Sequence, residues 1–235
     1  PGLRALLQRA GLDHANVSAS DIGFRLGPRL NAAGRLDHAM VGCELLLTQD
    51  HARADELAGI LDQKNGERQQ LTNAVLAEAR GRIGPHPTER ALVVDDPGWP
   101  GGVIGLVAGR LAEEYCRPVL IVERSEVESR GSARSIAGFN IIAALERCSD
   151  LLTKFGGHAQ AAGFSLRSEL IPTLRTRMAA LAAEYLREED LVPTIQLDAE
   201  IGGRGFGAAE LLALQEQMSA LEPFGIGNQP PVLMW

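Results

Sequence analysis

The sequence predicts an α/β protein, with an α/β domain that follows one long helix. Three observations carry this. From residue 52 to 82, Leu57, Ile60, Leu61, Lys64, Arg68, Leu71, Val75 and Ala79 recur at helical spacings of three and four. Beyond residue 87, short apolar runs (91–94 and 118–122) alternate with a helical stretch (103–115), the pattern of strands connected by helices. Hydrophobic residues make up 45% of the 235 positions, enough for a substantial core.

Taken in order, residues 1–16 read as a short helix and turn, and the pattern breaks at Gly27-Pro28. Asp37 can cap a helix over 38–47. The helix of 52–82 spans roughly 45 Å at the usual rise per residue. Its stripe includes Lys64 and Arg68, so it is narrow and suits a connector between two lobes. GRIGPHP at 81–87 ends it and marks a linker. Strands at 91–94 and 118–122 flank the 103–115 helix. Residues 129–135 form a polar strand or loop, 140–148 a helix and 161–166 a strand. Ser168 can cap a helix to about 186, and 194–201 alternates as a strand of a new unit.

Net charge is −7, which by itself disfavours nucleic acid as a partner. The distribution says more. Residues 22–36 hold Arg25, Arg29 and Arg35 with no acid, and 129–158 hold Arg130, Arg134, Arg147 and Lys154 against two acids. That suits a focused phosphate site. No run approaches the ~18 apolar residues of a membrane span, and the first residues lack the pattern of a signal peptide. Cys43, Cys116 and Cys148 form no CxxC pair, which points to a reducing, cytoplasmic setting. A first residue other than Met suggests a piece of a longer protein.

Four segments carry candidate chemistry. In FGGHAQAAG (155–163), Gly156 and Gly157 would let backbone N–H groups approach an anion, and His158 could bond a phosphate oxygen or move a proton. A tight glycine turn with His158 satisfied in the core explains the same residues. In GSARS (131–135), Ser132, Arg134 and Ser135 offer hydroxyls and a planar fork of donors. If the segment is extended, Arg130, Ser132 and Arg134 share a face. A solvated edge strand is the alternative. In GPRLNAAGRLD (27–37), Arg29, Asn31 and Arg35 sit among small residues, either near a ligand or in a capping loop. DPGWPGGVIG (96–105) is a glycine-rich strand-to-helix turn without P-loop or dinucleotide spacing, and close packing explains it better. Asp95-Asp96 follow a strand but lack a His partner, and no His lies in a DxD, HxD or HxxE arrangement.

In combination these segments resemble a known family. GSARSIAGFN followed by SDLLTKFGGHAQAAG is similar to the DHHA1 domain of the DHH phosphoesterase superfamily. GPRLNAAGR, the GWPGGVIGLVAGRLAEEYCRPVLIV turn and the closing LEPFGIGNQPPVLMW resemble RecJ proteins in particular. The resemblance implies the tail of a DHH domain (1–50), a connecting helix and linker (51–84), a DHHA1 substrate-binding domain (85–190) and the start of an OB-like β unit (191–235). It implies a 5′→3′ exonuclease on single-stranded DNA, serving recombination and repair, with Mn²⁺ or Mg²⁺ held by the DHH lobe rather than by this piece. Ser132, Arg134 and Ser135 would hold DNA phosphate. Gly156, Gly157 and His158 would meet the scissile phosphate, with His158 catalytic. Arg29, Asn31 and Arg35 would lie near the DNA path. Pro100 stands where the family usually has His, so that loop is given no role. A relative cleaving short oligonucleotides or nucleotide phosphates, and a non-catalytic nucleic-acid-binding module, fit the same residues.

Overall fold

The computed structural model describes residues 1–36, 39–202, 207–225 and 227–235. They form two compact units, Pro1–Asn65 with Thr194–Trp235, and Gly66–Pro193.

The first unit opens with α1 (Gly2–Arg9). A capping box at Ser18 starts α2 (Ala19–Asp21), which runs through a π-helical turn (Ile22–Leu26) into α3 (Gly27–Leu36). The break expected at Gly27-Pro28 is therefore helical. Pro28 has no N–H, and its ring would crowd the carbonyl one turn earlier. The wider turn just before it relieves this: the Gly27 N–H reaches back five residues to the Ile22 carbonyl. After α3 comes α4 (Met40–Leu47), and the expected cap Asp37 and its neighbour His38 lie outside the described residues. Leu6, Leu7, Leu26, Leu45, Leu57 and Leu61 fill this unit's core.

α5 (His51–Ile83) is the long helix the sequence predicted. A buried stripe runs through Ala54, Ala58, Leu61, Asn65, Arg68, Thr72, Val75 and Ala79, in alternating steps of four and three, with Leu57 and Leu76 buried beside it. The middle three are polar, which is why the stripe looks thin. Ala54–Leu61 belong to the core of the first unit, and Val75–Ala79 to that of the second.

The second unit is built on a five-stranded sheet. β1 (Leu92–Asp96) and β2 (Val119–Glu123) are parallel, joined by α6 (Gly101–Tyr115). β3 (Glu128–Arg134), β4 (Leu152–His158) and β5 (Ala161–Arg167) add antiparallel in the order β1-β2-β3-β5-β4. Residues 152–158 are thus an edge strand, where the sequence had suggested a glycine turn. α7 (Ile141–Glu146) is capped by the Asn140 side chain. α8 (Ile171–Tyr185) begins after a 3₁₀ turn with Pro172 in its first turn. Ser168, expected as its cap, instead pairs its hydroxyl with that of Ser129 at 2.7 Å.

The two faces of this sheet are covered unequally. On one, Leu120, Val122, Ala133, Ala162, Phe164 and Leu166 pack under α7 and α8. Each such large side chain contributes about 1.5–3 kcal/mol by burial. Cys148 lies in this layer against Met178, and burial pushes its thiol pKa up. On the other face, Leu92, Val119 and Ile121 pack under α6 and the end of α5, and α6 extends to β3, where it meets the polar Ser132 and Arg134.

The rest of the chain holds β6 (Ala199–Glu200), α9 (Ala208–Ser219) and β7 (Leu233–Met234). β6 and β7 pair in parallel over two residues. The strand expected over 194–201 is reduced to β6. Where the sequence suggested the first strands of an OB-like unit, the described residues hold this ladder and one helix.

Gly131 is directly opposite Phe164, and a Cβ there would fall 2.1 Å from the ring. The ring occupies the space the glycine leaves. Gly131→Ala should therefore cost about 1–3 kcal/mol, read as a lower urea midpoint at unchanged slope.

Candidate functional site

Paired residues in neighbouring antiparallel strands point to the same face. The register therefore sorts β3, β5 and β4 into rows. Arg134, Ala161 and His158 form one row on the face opposite α7 and α8, with α6 beside Arg134 and no apolar cover over β5 and β4. Ser132, Gly163 and Gly156 form the next, and Arg130, Ser165 and Lys154 a third. The intervening rows, such as Ala133, Ala162 and Gly157, face α7 and α8. The face read from alternation (Arg130, Ser132, Arg134) is thus the one opposite α7 and α8, and it is joined by Gly156 and His158 from the second motif. Two segments more than 20 residues apart in sequence make one surface.

The glycines divide by what surrounds them. Gly157 has a φ of +154°, and a Cβ there would lie 2.3 Å from the Ala161 carbonyl oxygen. Its identity is fixed by the β4–β5 hairpin. A Cβ on Gly156 would meet nothing within 4 Å, and one on Gly163 only the Gly131 carbonyl oxygen, at 4.0 Å. Packing explains Gly157 but not Gly156 or Gly163. Those two leave a bare floor on which a backbone or phosphate can approach the strand.

Polar groups border that floor. Arg134 Nη1 donates to Ser132 Oγ at 3.2 Å and to the Ala133 carbonyl at 2.8 Å, so the side chain is held along the strand. α6 makes room for it. A Cβ on Gly105 would lie 3.0 Å from Ser132 Oγ and 3.2 Å from Arg134 Nη2. His158 is exposed, and its Nδ1 accepts the Gln160 N–H at 3.3 Å. In the neutral ring this puts the proton on Nε2, the nitrogen free to donate to an anion. Ser135 lies just past β3, and its hydroxyl donates to the Phe139 carbonyl at 2.7 Å. That bond ties the loop before α7 and leaves the hydroxyl only its acceptor capacity.

The remaining candidates have other surroundings. Arg29 on α3 donates to Asp62 at 2.8 Å and to the Arg25 carbonyl at 2.7 Å, so it stabilises the first unit beside the π turn. Asn31 is exposed on the same helix, and the Arg35 side chain lies outside the described residues. The glycine-rich turn before α6 packs closely, as expected. Trp99 is buried, donates to Glu78 at 2.8 Å and lies under the Arg82 guanidinium. The start of α6 faces a carboxylate of the chain itself, since a Cβ on Gly101 would fall 2.6 Å from Glu123 Oε2. Asp95 pairs with Arg175 and Arg124, and Asp96 with Arg82. Among the described residues no group of three or more His, Cys, Asp or Glu side chains could hold a metal ion.

Alternation within 161–166 could have revealed Gly163 and Ser165. The facing of Lys154 has no such signal, because an edge strand without apolar cover on one face has no apolar period.

Residues 88–184 match the family model of the DHHA1 domain. The chain is similar over nearly its whole length to single-stranded-DNA-specific exonucleases RecJ. The one from Bacillus subtilis is 38% identical over 233 residues, which is 98% of this chain and 29% of that protein. The one from Thermus thermophilus is 35% identical over 233 residues, covering 99% and 33%. The crystal structure of the Thermus thermophilus RecJ in complex with Mg²⁺ matches with a TM-score of 0.86 at 36% identity, over 98% of this chain and 35% of that one. The chain therefore spans about a third of the length of the relatives it matches.

The contrast between neighbouring glycines is testable. Gly157→Ala should destabilise the fold by about 1–3 kcal/mol, through strain and overlap. Gly156→Ala should leave stability unchanged or raise it by up to about 1 kcal/mol. Denaturant titrations of the two variants check this.

Proposed function

We propose that the face of β3, β5 and β4 opposite α7 and α8 grips the phosphate backbone of single-stranded DNA, as the substrate-holding part of a 5′→3′ exonuclease of the RecJ kind. The observation that carries this is the surface itself. Arg134, Ser132 and His158 share the face that borders a glycine floor that packing does not require, in a domain whose relatives are named for single-stranded DNA. Polarity from the 5′ end, and service in recombination and repair in the cytoplasm, belong to the same proposal.

In this reading Arg134 offers its guanidinium to phosphate oxygens, a charge-assisted interaction worth about 1.5–3 kcal/mol. Ser132 both steadies the guanidinium and lies beside the same anion. Gly156 lets the strand approach the sheet, and Gly157 holds the hairpin that presents His158. His158 Nε2 donates to the scissile phosphate and favours the charge that builds there during hydrolysis. Relatives have been crystallised with Mg²⁺ and with Mn²⁺. The described residues here do not fit such a site, because Asp95 and Asp96 are engaged by arginines and no third ligand joins them.

Binding of a labelled single strand to this chain tests the reading. Arg134→Ala should weaken binding about tenfold or more. It should also lower the salt dependence by about 0.7, the value for one phosphate left unneutralised on a single strand. Unchanged affinity across a salt titration would remove the assignment. In the intact exonuclease His158→Ala should lower kcat more than it raises KM. A rise in KM at normal kcat would make His158 a ground-state partner only.

A further inference from the structure

Successive same-face rows on a strand are about 6.8 Å apart. The row of Arg130, Ser165 and Lys154 is therefore about 13–14 Å along the face from that of Arg134 and His158, with the glycine row between. Arg130 and Lys154 are exposed, and Ser165 lies half-buried on β5 between them. Elsewhere the arginines of this acidic chain are mostly engaged by carboxylates, as with Arg80 and Glu114, Arg147 and Glu184, and Arg175 and Asp95. Among the described residues the Arg130 and Lys154 side chains form no ion pair or hydrogen bond. Two acids are near: Glu123, opposite Arg130 on β2, with its carboxylate turned to the start of α6, and Glu128, two residues along β3 on the same face, whose carboxylate accepts from the Thr153 hydroxyl at 2.6 Å. Two cations are thus left open to solvent on the same face.

We propose that Arg130 and Lys154, with the Ser165 hydroxyl between them, form a second phosphate subsite. It takes a backbone phosphodiester of the same single strand whose other phosphate meets Arg134 and His158. The proposal rests on the reading of the first subsite and extends it from one phosphate to a track along β3, β5 and β4. With each side chain standing over its own row, the two subsites take different phosphates of the strand, so the second rewards chain length.

The test is a series of 5′-phosphorylated oligodeoxynucleotides, from the mononucleotide upwards, titrated against the wild-type chain, Arg130→Ala/Lys154→Ala and Arg134→Ala. Wild-type affinity should step up once the strand can span both rows. The double variant should lose that step, binding the longer strands about tenfold more weakly. Its salt dependence on those strands should fall by about 0.7 per phosphate released. Mononucleotide binding should be unchanged. Arg130→Lys should restore most of the step. A double variant that keeps the wild-type length dependence overturns the proposal. So does one that loses mononucleotide binding, because the cations would then act at the first subsite. If Arg134→Ala binds every length as the wild type does, the first reading fails, and that result is separate from either of these.

Discussion

The second unit depends on unequal cover of its sheet. α7 and α8 close the whole of one face over Leu120, Val122, Ala133, Phe164 and Leu166. α6 and the end of α5 close the other over β1 and β2, and α6 reaches β3 against Ser132 and Arg134. On the second face β5 and β4 have no apolar cover, and β3 meets α6 only through Ser132 and Arg134, so this side carries little of the packing. Such a surface can hold cations, hydroxyls and glycine. The polar rows of Arg134 and Arg130 exist because the layer beneath them is already stable.

Much of this was legible in the sequence, for physical reasons. Helix α5 shows because its buried steps persist over 33 residues, and β1 and β2 show because strands buried on both faces are continuously apolar. Alternation placed Arg130, Ser132 and Arg134 on one face before any register was known. The misses share a cause. β4 has one bare face and lies at an edge, so Thr153 to His158 lack a hydrophobic signature. The π turn before Pro28 hides a helix behind a helix-breaking pair. The register that brings His158 level with Arg134 across Ala161 is a long-range fact that no local pattern contains.

Net charge was a poor guide to this molecule, and the pairing of charges shows why. Carboxylates engage arginines over much of the surface, including Arg53 with Glu44 and Glu56, and Arg177 with Asp150, whose carboxyl pKa is lowered chiefly by that hydrogen bond. Exposed pairs of this kind add little stability. Their electrostatic effect is to cancel positive potential elsewhere, so that the sheet face opposite α7 and α8 stands out.

The Phe164 ring over Gly131 also bears on how the chain avoids misfolding. A strand that slips by one residue turns every side chain to the opposite face. For β3 that slip would drive Arg130, Ser132 and Arg134 into the apolar layer beneath α7 and α8 and bring Ala133 to solvent. Burying unpaired guanidinium groups is prohibitively unfavourable. The cations that make the face basic therefore also select the one strand alignment in which the face exists, and the ring-and-glycine fit locks it from the other side.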